Sequence, residues 1–380
     1  MPKLGEHPRS VLRACHWAKA AGLLTLIQCQ PSVPAPPPVS AADEAAAIAG
    51  LPEPKANLAR RGFALGLFAS TVDPKERRAI YRTFLAELKA AGATDVELVV
   101  RWSQPDINAE VIGPDPTIAT PDPVLREVIG FAKAEGLRVF LMPIVHVEAR
   151  SSGEWRGTLA PRSWDRWWES YSQFILHYAA LAESEGVALF AVGSELISTE
   201  SQAGRWRQLI ALVRGVYRGQ LTYSANWDHF EPVRIWDAVD VVGVTAYQPL
   251  SSGATDEASL DRGLSRFLLR LRMWLSESPR PFLITEVGYP SSAHAAARPW
   301  DQREGPVDLA LQTRCYRALY RALAQEPHLE GLYFWNWFGH GGADDGGYTL
   351  RGKPALAVVK LWFRGAGTGT GAAGDMGSKK

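Results

Sequence analysis

From about residue 60 onward, apolar and polar positions follow two alternating patterns. Short, near-continuous apolar runs fall at 62–68, 95–101, 138–145, 188–193, 221–225, 239–246, 282–286 and 331–335. A strand with one wet face alternates polar and apolar residues, whereas a strand covered on both faces of a parallel sheet does not, and these runs are of the second kind. Between them lie amphipathic stretches of helical length at 74–91, 123–135, 164–185, 204–217, 256–276, 307–325 and 354–363. Asp73 before Pro74 has the form of an N-cap followed by proline at the first helical position, and Gly136 and Gly186 stand where C-terminal caps belong. The stretch around 232–237, between the fifth and sixth strands, supports only a short, weak helix. Eight strand-then-helix units predict an α/β fold, a single (β/α)8 TIM barrel over residues 61–363. An open doubly wound sheet would want G-x-G-x-x-G after the first strand, and Gly62-Phe63-Ala64-Leu65-Gly66 does not supply it.

Residues 1–60 read differently. Arg9, Arg13 and Lys19 precede an uncharged apolar run at 20–27 that leads to Cys29. A basic start followed by a short apolar run is the layout of a secretory signal, and this run is too short to span a bilayer. Leu26-Ile27-Gln28-Cys29 resembles a bacterial lipoprotein attachment site, with Gln28 where a small residue is usual, so Cys29 is a candidate lipid anchor. The segment at 30–38 has the composition of a proline-rich tether. Residues 364–380, rich in glycine, alanine and threonine, read as a disordered tail. The expectation is a secreted or membrane-tethered lipoprotein of the periplasm or cell surface, against a cytoplasmic protein with a ragged N-terminus.

Composition narrows the chemistry. The 380 residues carry a formal charge of +1, which lacks the basic excess that nucleic acid or an anionic membrane surface attracts. Three cysteines cannot build a disulfide framework or a zinc ribbon. There is no P-loop, H-E-x-x-H or G-x-S-x-G; His146-Val147-Glu148 is half of a zinc-deaminase motif with no P-C-x-x-C after it. We therefore expect no metal and no cofactor, and a monomer. Tryptophan is unusually abundant: of 14, all but Trp17 lie beyond residue 100.

In such a barrel, function gathers at the C-terminal ends of the strands. Those ends bring together Arg101, Trp102, His146, Glu195, Asn226, Trp227, Tyr247, Glu286, Trp335 and Trp337. Glu195 and Glu286 each close a strongly apolar strand, where a carboxylate is costly unless it has a partner or a task. Paired carboxylates across a cleft are the apparatus of glycoside hydrolysis, one giving a proton to the leaving oxygen and the other attacking the sugar or activating water. Each glutamate alone could equally be a cap or an ion-pair partner; on the fourth and seventh strands together, among aromatics, they point to a catalytic pair. Aromatic faces suit the C–H faces of sugars, which makes Trp102, Trp227, Trp335 and Trp337 candidate platforms, the last two on one face by strand alternation. Trp206, Trp274 and Trp362 are expected in the core. Trp155 and Trp300, in loops, could either line outer subsites or anchor those loops.

Val192-Gly193-Ser194-Glu195-Leu196, Val242-Gly243-Val244-Thr245-Ala246-Tyr247-Gln248-Pro249-Leu250 and Ile284-Thr285-Glu286-Val287-Gly288-Tyr289 resemble the retaining glycosidases of clan A, and within it glycoside hydrolase family 113, the β-mannanases. The resemblance implies Glu195 as general acid/base, Glu286 as nucleophile and β-1,4-mannan as substrate. Most of the clan carries asparagine before the acid/base, and here Ser194 stands there; Asn226 is then a candidate for the sugar 2-hydroxyl. Tyr247 or Arg101 would keep Glu286 ionised. Alternatives are a glucan or glucosamine-containing polymer on the same machinery, a catalytically silent carbohydrate-binding barrel, or unrelated barrel chemistry.

Overall fold

Nearly all positions of the central strands are buried on both faces of the sheet, and the sheet has no edge. In the computed structural model, which describes residues 35–54, 58–67, 73–277, 280–301, 303 and 305–364, eight parallel strands close into a barrel in sequence order. They are β1(Arg60–Gly66), β2(Asp95–Gln104), β3(Arg138–Val147), β4(Leu189–Ser194), β5(Gln220–Ala225), β6(Val241–Thr245), β7(Phe282–Val287) and β8(Leu329–Phe334), with β1 paired to β8. β2 and β3 run two to three residues further than their apolar runs, carrying Trp102, Gln104 and His146 still in register. The basic-apolar leader, Cys29, Phe68 and the tail from 365 lie outside the described residues.

The barrel is wrapped by α2(Pro74–Ala90), α3(Asp122–Ala134), α4(Trp164–Ser184), α5(Ala203–Val216), α6(Glu257–Glu277), α7(Leu309–Leu323) and α8(Ala355–Arg364). Their starts have side-chain caps where the sequence offers them: Asp73 accepts from the Lys75 and Glu76 amides, and Ser163 and Asp308 do the same for α4 and α7. Gly136 and Gly186, just past α3 and α4, hold φ +70° and +58°, the left-handed turn that glycine enters without steric cost. Between β5 and β6 the chain makes turns without a helix. One further helix, α1(Ala41–Ile48), precedes the barrel within the segment expected as linker. Arg317 of α7 donates to the Ala47 and Ala49 carbonyls at 2.8 and 3.0 Å, and Tyr320 to Pro52, so this stretch is seated on α7 and α8 instead of hanging free.

Apolar burial is divided between a large layer separating barrel from helices and a smaller plug inside the barrel that includes Ala64, Phe140, Met142, Leu189, Leu283 and Tyr333. The floor of the barrel is polar. Asp95, the first residue of β2 and fully buried, accepts from Arg60 at 3.1 Å, from Arg138 at 2.6 Å and from Thr94 at 2.7 Å; Arg60 also donates to Gln220 across the barrel. Removing one partner from such a cluster leaves buried charge uncompensated. Asp95→Ala is therefore expected to lower the unfolding free energy by about 3–5 kcal/mol in denaturant titration; a loss below about 1 kcal/mol would mean that the cluster is not holding the strand starts together.

Candidate active site

At the opposite end the strand termini surround a cavity of about 490 Å³. Arg101 and His146 enter it from β2 and β3, Glu286 from β7, and Glu195, Asn226, Trp227, Tyr247 and Trp335 from the residues that follow β4, β5, β6 and β8. Eight of the ten residues expected at the site therefore meet in one place. Trp102 and Trp337 do not, and both expectations are corrected. Strand alternation turns Trp102 away from its neighbour Arg101, onto Phe174, His177 and Tyr178 of α4. Trp337 lies past the end of β8, where period-two alternation with Trp335 no longer holds; it packs on Phe63 and donates to Glu87 of α2 at 2.9 Å. The expected core residues Trp206 and Trp362 are buried. Both loop tryptophans line the cavity, and Trp300 lies nearly parallel to Trp227, ring centres 6.4 Å apart.

Glu195 is held from several sides. Its Oε2 accepts from Arg156 at 2.6 Å and its Oε1 from the Thr245 hydroxyl at 3.0 Å. Its backbone sits at φ +52°, in the left-handed region that costs a non-glycine residue roughly 1–3 kcal/mol and persists only where surrounding contacts impose it. Those contacts are visible. The Glu195 amide donates to the Ser224 carbonyl at 2.8 Å, and the next amide, Leu196, donates to the Tyr223 hydroxyl at 3.1 Å. That hydroxyl in turn donates to buried Glu200 at 2.6 Å, whose other oxygen meets His229. A chain of side chains from the surface thus fixes the backbone that aims Glu195.

Glu286 is almost wholly buried and poorly satisfied. The Tyr247 hydroxyl reaches its Oε2 at a long 3.4 Å, and its Oε1 has no hydrogen-bond partner among the described residues. Burial, and then the charge of Glu195, push its carboxyl up to about 8, against the opposing pull of Arg156 and Tyr247. Arg101, expected to keep Glu286 ionised, makes no bond to it. Deeper in the barrel lies Glu97, fully buried with neither carboxyl oxygen hydrogen-bonded; burial and Glu286 hold it well above the usual carboxylate range. His146 is pushed the other way, down to about 4, by burial and by the positive charges of Arg101, Arg150 and Arg156.

Sequence reasoning missed Arg150, Arg156, Thr245 and Tyr348. Arg156 belongs to a single 3₁₀ turn (Arg156–Thr158) in the long β3–α4 loop, and nothing periodic marks it. Thr245 could have been found, as it is the last residue of β6 and the only hydroxyl in the apolar run that closes there.

The sequence profile of Glycoside Hydrolase Family 113 matches residues 74–353. The chain belongs to glycoside hydrolase family 113. As a family member it is a glycoside hydrolase, acting on O-glycosyl bonds of a carbohydrate substrate. The family 113 β-mannanase AaManA of Alicyclobacillus acidocaldarius, solved in complex with ManMIm, is 30% identical, with 81% of this chain and 97% of that one covered and a TM-score of 0.71. A family 113 β-1,4-mannanase solved as a complex is 26% identical, covering 80% and 98% at the same TM-score. The β-glucuronidase of Ruminococcus gnavus, 14% identical over 80% of this chain and 50% of its own at a TM-score of 0.56, shares the barrel fold. No curated protein sequence is significantly similar.

A carboxyl whose folded-state pKa is raised stabilises the protein below its unfolded value and ceases to do so as pH climbs through the folded one. For Glu286 that window runs from the ordinary 4.5 to about 8. Wild type should therefore lose unfolding free energy as pH rises across this window, and Glu286→Gln should lose less. Parallel pH curves for the two proteins would exclude a buried, proton-retaining Glu286.

Proposed function

We propose that this glycoside hydrolase cleaves β-1,4-mannan with retention, by double displacement at Glu195 and Glu286. The observation that supports the reading most is that two glutamates closing the fourth and seventh strands face one aromatic-lined cavity in a family 113 barrel. Glu195 protonates the departing glycosidic oxygen while a carboxylate oxygen of Glu286 bonds to the anomeric carbon and the C–O bond to the leaving sugar breaks. Water then attacks the same carbon, giving its proton to Glu195 and releasing Glu286. Trp227, Trp300 and Trp335 offer faces for sugar rings.

Glu286 holds its proton in the free cavity, because burial and the charge of Glu195 both disfavour its anion. Arg156 on Glu195 and the burial of Glu286 favour the proton on Glu286 at rest. Productive binding reverses this: a sugar that displaces Arg156 from Glu195 lets that carboxyl take the proton, and the Tyr247 hydroxyl and the electrophilic sugar carbon favour Glu286 as the anion. Only the singly protonated pair is competent, so kcat/KM should fall as pH rises past about 8, the value toward which Glu286 is pushed.

Hydrolysis of β-mannan, cellulose and chitosan by wild type, Glu195→Gln and Glu286→Gln tests the reading. Each substitution should lower kcat on mannan by about 10²–10⁴-fold, and Glu195→Gln should lose far less on an aryl glycoside whose leaving group needs no proton. Proton NMR should show the β-anomer first. Full activity in either variant, or an α-anomer as first product, would overturn the mechanism; a preference for another polymer would overturn the substrate alone. We also propose export with a lipid on Cys29, which predicts that palmitate labelling of the expressed protein is abolished by Cys29→Ser.

A further inference from the structure

One wall of the cavity carries positive charge that the protein does not neutralise. Arg101, in β2, and Arg150, in the loop after β3, both line the cavity, and among the described residues neither has an ion pair or a hydrogen bond. A third arginine lining the cavity, Arg156, is engaged with Glu195. All three guanidinium groups act on His146, which places them around one spot. Burial holds Arg101 and Arg150 below the ordinary arginine range, Arg101 at about 10.

None of the cavity's carboxylates is bonded to either arginine. Glu195 faces Arg156, Asp228 accepts from the Asn226 amide at 2.7 Å, Glu154 accepts from the Ser151 amide at 2.8 Å, and Glu286 is met by the Tyr247 hydroxyl at 3.4 Å. Asp115, whose charge opposes those of the arginines at His146, caps its own turn through Thr117. With a net charge of only +1, the chain has no general basic excess to account for the cluster. Like charges gathered in a partly desolvated space cost folding energy, and the cost is relieved only when an anion enters. A neutral hydroxyl offers such a fork a single weak bond, whereas a carboxylate matches it with two charge-assisted ones.

We propose that Arg101 and Arg150 form an anionic subsite, and that the natural substrate is a β-linked chain carrying a carboxylate-bearing sugar, such as a hexuronic acid unit, beside the bond that is cut. The proposal rests on the glycosidase reading of this cavity and sharpens its substrate class from plain to acidic mannan-type chains. His146, kept neutral between the arginines, remains free to bond the ring hydroxyls of the same unit without adding charge.

Manno-oligosaccharides and the same oligosaccharides with part of their C6 hydroxyls oxidised to carboxylates provide the test, with binding to a catalytically inert Glu286→Gln background measured by calorimetry alongside hydrolysis. Wild type should show at least about tenfold higher kcat/KM on the oxidised chain at low salt, with the preference shrinking as ionic strength screens it. Arg101→Gln and Arg150→Gln, checked for unchanged folding by circular dichroism, should each reduce the ratio of oxidised to neutral several-fold, in hydrolysis and in binding. Equal or better cleavage of the neutral chain, or a preference that survives both substitutions, overturns the subsite and leaves the mannanase reading standing. If neither chain is cut but the oxidised one binds tighter in an arginine-dependent manner, the mannan reading falls and the subsite stands; absence of any binding preference overturns the subsite.

Discussion

Closing eight parallel strands onto one another, with β1 paired to β8, places most inward side chains in a volume that water scarcely reaches. Charge in that volume is expensive, and the structure meets the cost differently at its two ends. At the floor, Asp95 is surrounded by Arg60, Arg138 and Thr94, and the cluster is nearly self-satisfied. At the mouth, among the described residues, Glu286 lacks a partner for one oxygen, and Arg101 and Arg150 lack any hydrogen bond or ion pair. Stability resides in the first arrangement and chemistry in the second, in keeping with barrels that hold fold and function at opposite strand ends.

Under the proposed mechanism, incomplete satisfaction at the mouth is what makes the pair of glutamates useful. Burial and the charge of Glu195 raise the Glu286 carboxyl, so that its proton responds to whatever enters. Arg156 and Thr245 bias it from the Glu195 side, and Tyr247 from the Glu286 side. Backbone strain belongs to the same design. Glu195 occupies a left-handed conformation that the chain reaching from Tyr223 through Glu200 to His229 holds in place, so aim is paid for by a network that never touches the cavity centre.

Much of this was legible in order along the chain. Apolar runs without alternation located all eight strands, and caps such as Asp73 and Gly136 located helix ends, because burial on two faces and backbone geometry act on neighbours in sequence. Glu195 and Glu286 stood out because a carboxylate closing a strongly apolar strand is anomalous wherever it occurs. The expectation for Trp337 failed because alternation stops where β8 does, and that for Trp102 because the residue beside it already faces inward. Arg156 was invisible, since it reaches Glu195 from a loop 39 positions earlier with no pattern to announce it.

The sequence by itself thus determined the closed alternating architecture, the two carboxylates and most of the residues around them, since each depends on local periodicity or on a residue type out of place. Tertiary structure alone decided which cations face which acids, how burial and Glu195 together raise the Glu286 carboxyl, and that Arg101 and Arg150 have no ion pair among the described residues. Those are facts of distance and solvent exclusion between segments far apart in the chain, and electrostatic energy depends on both.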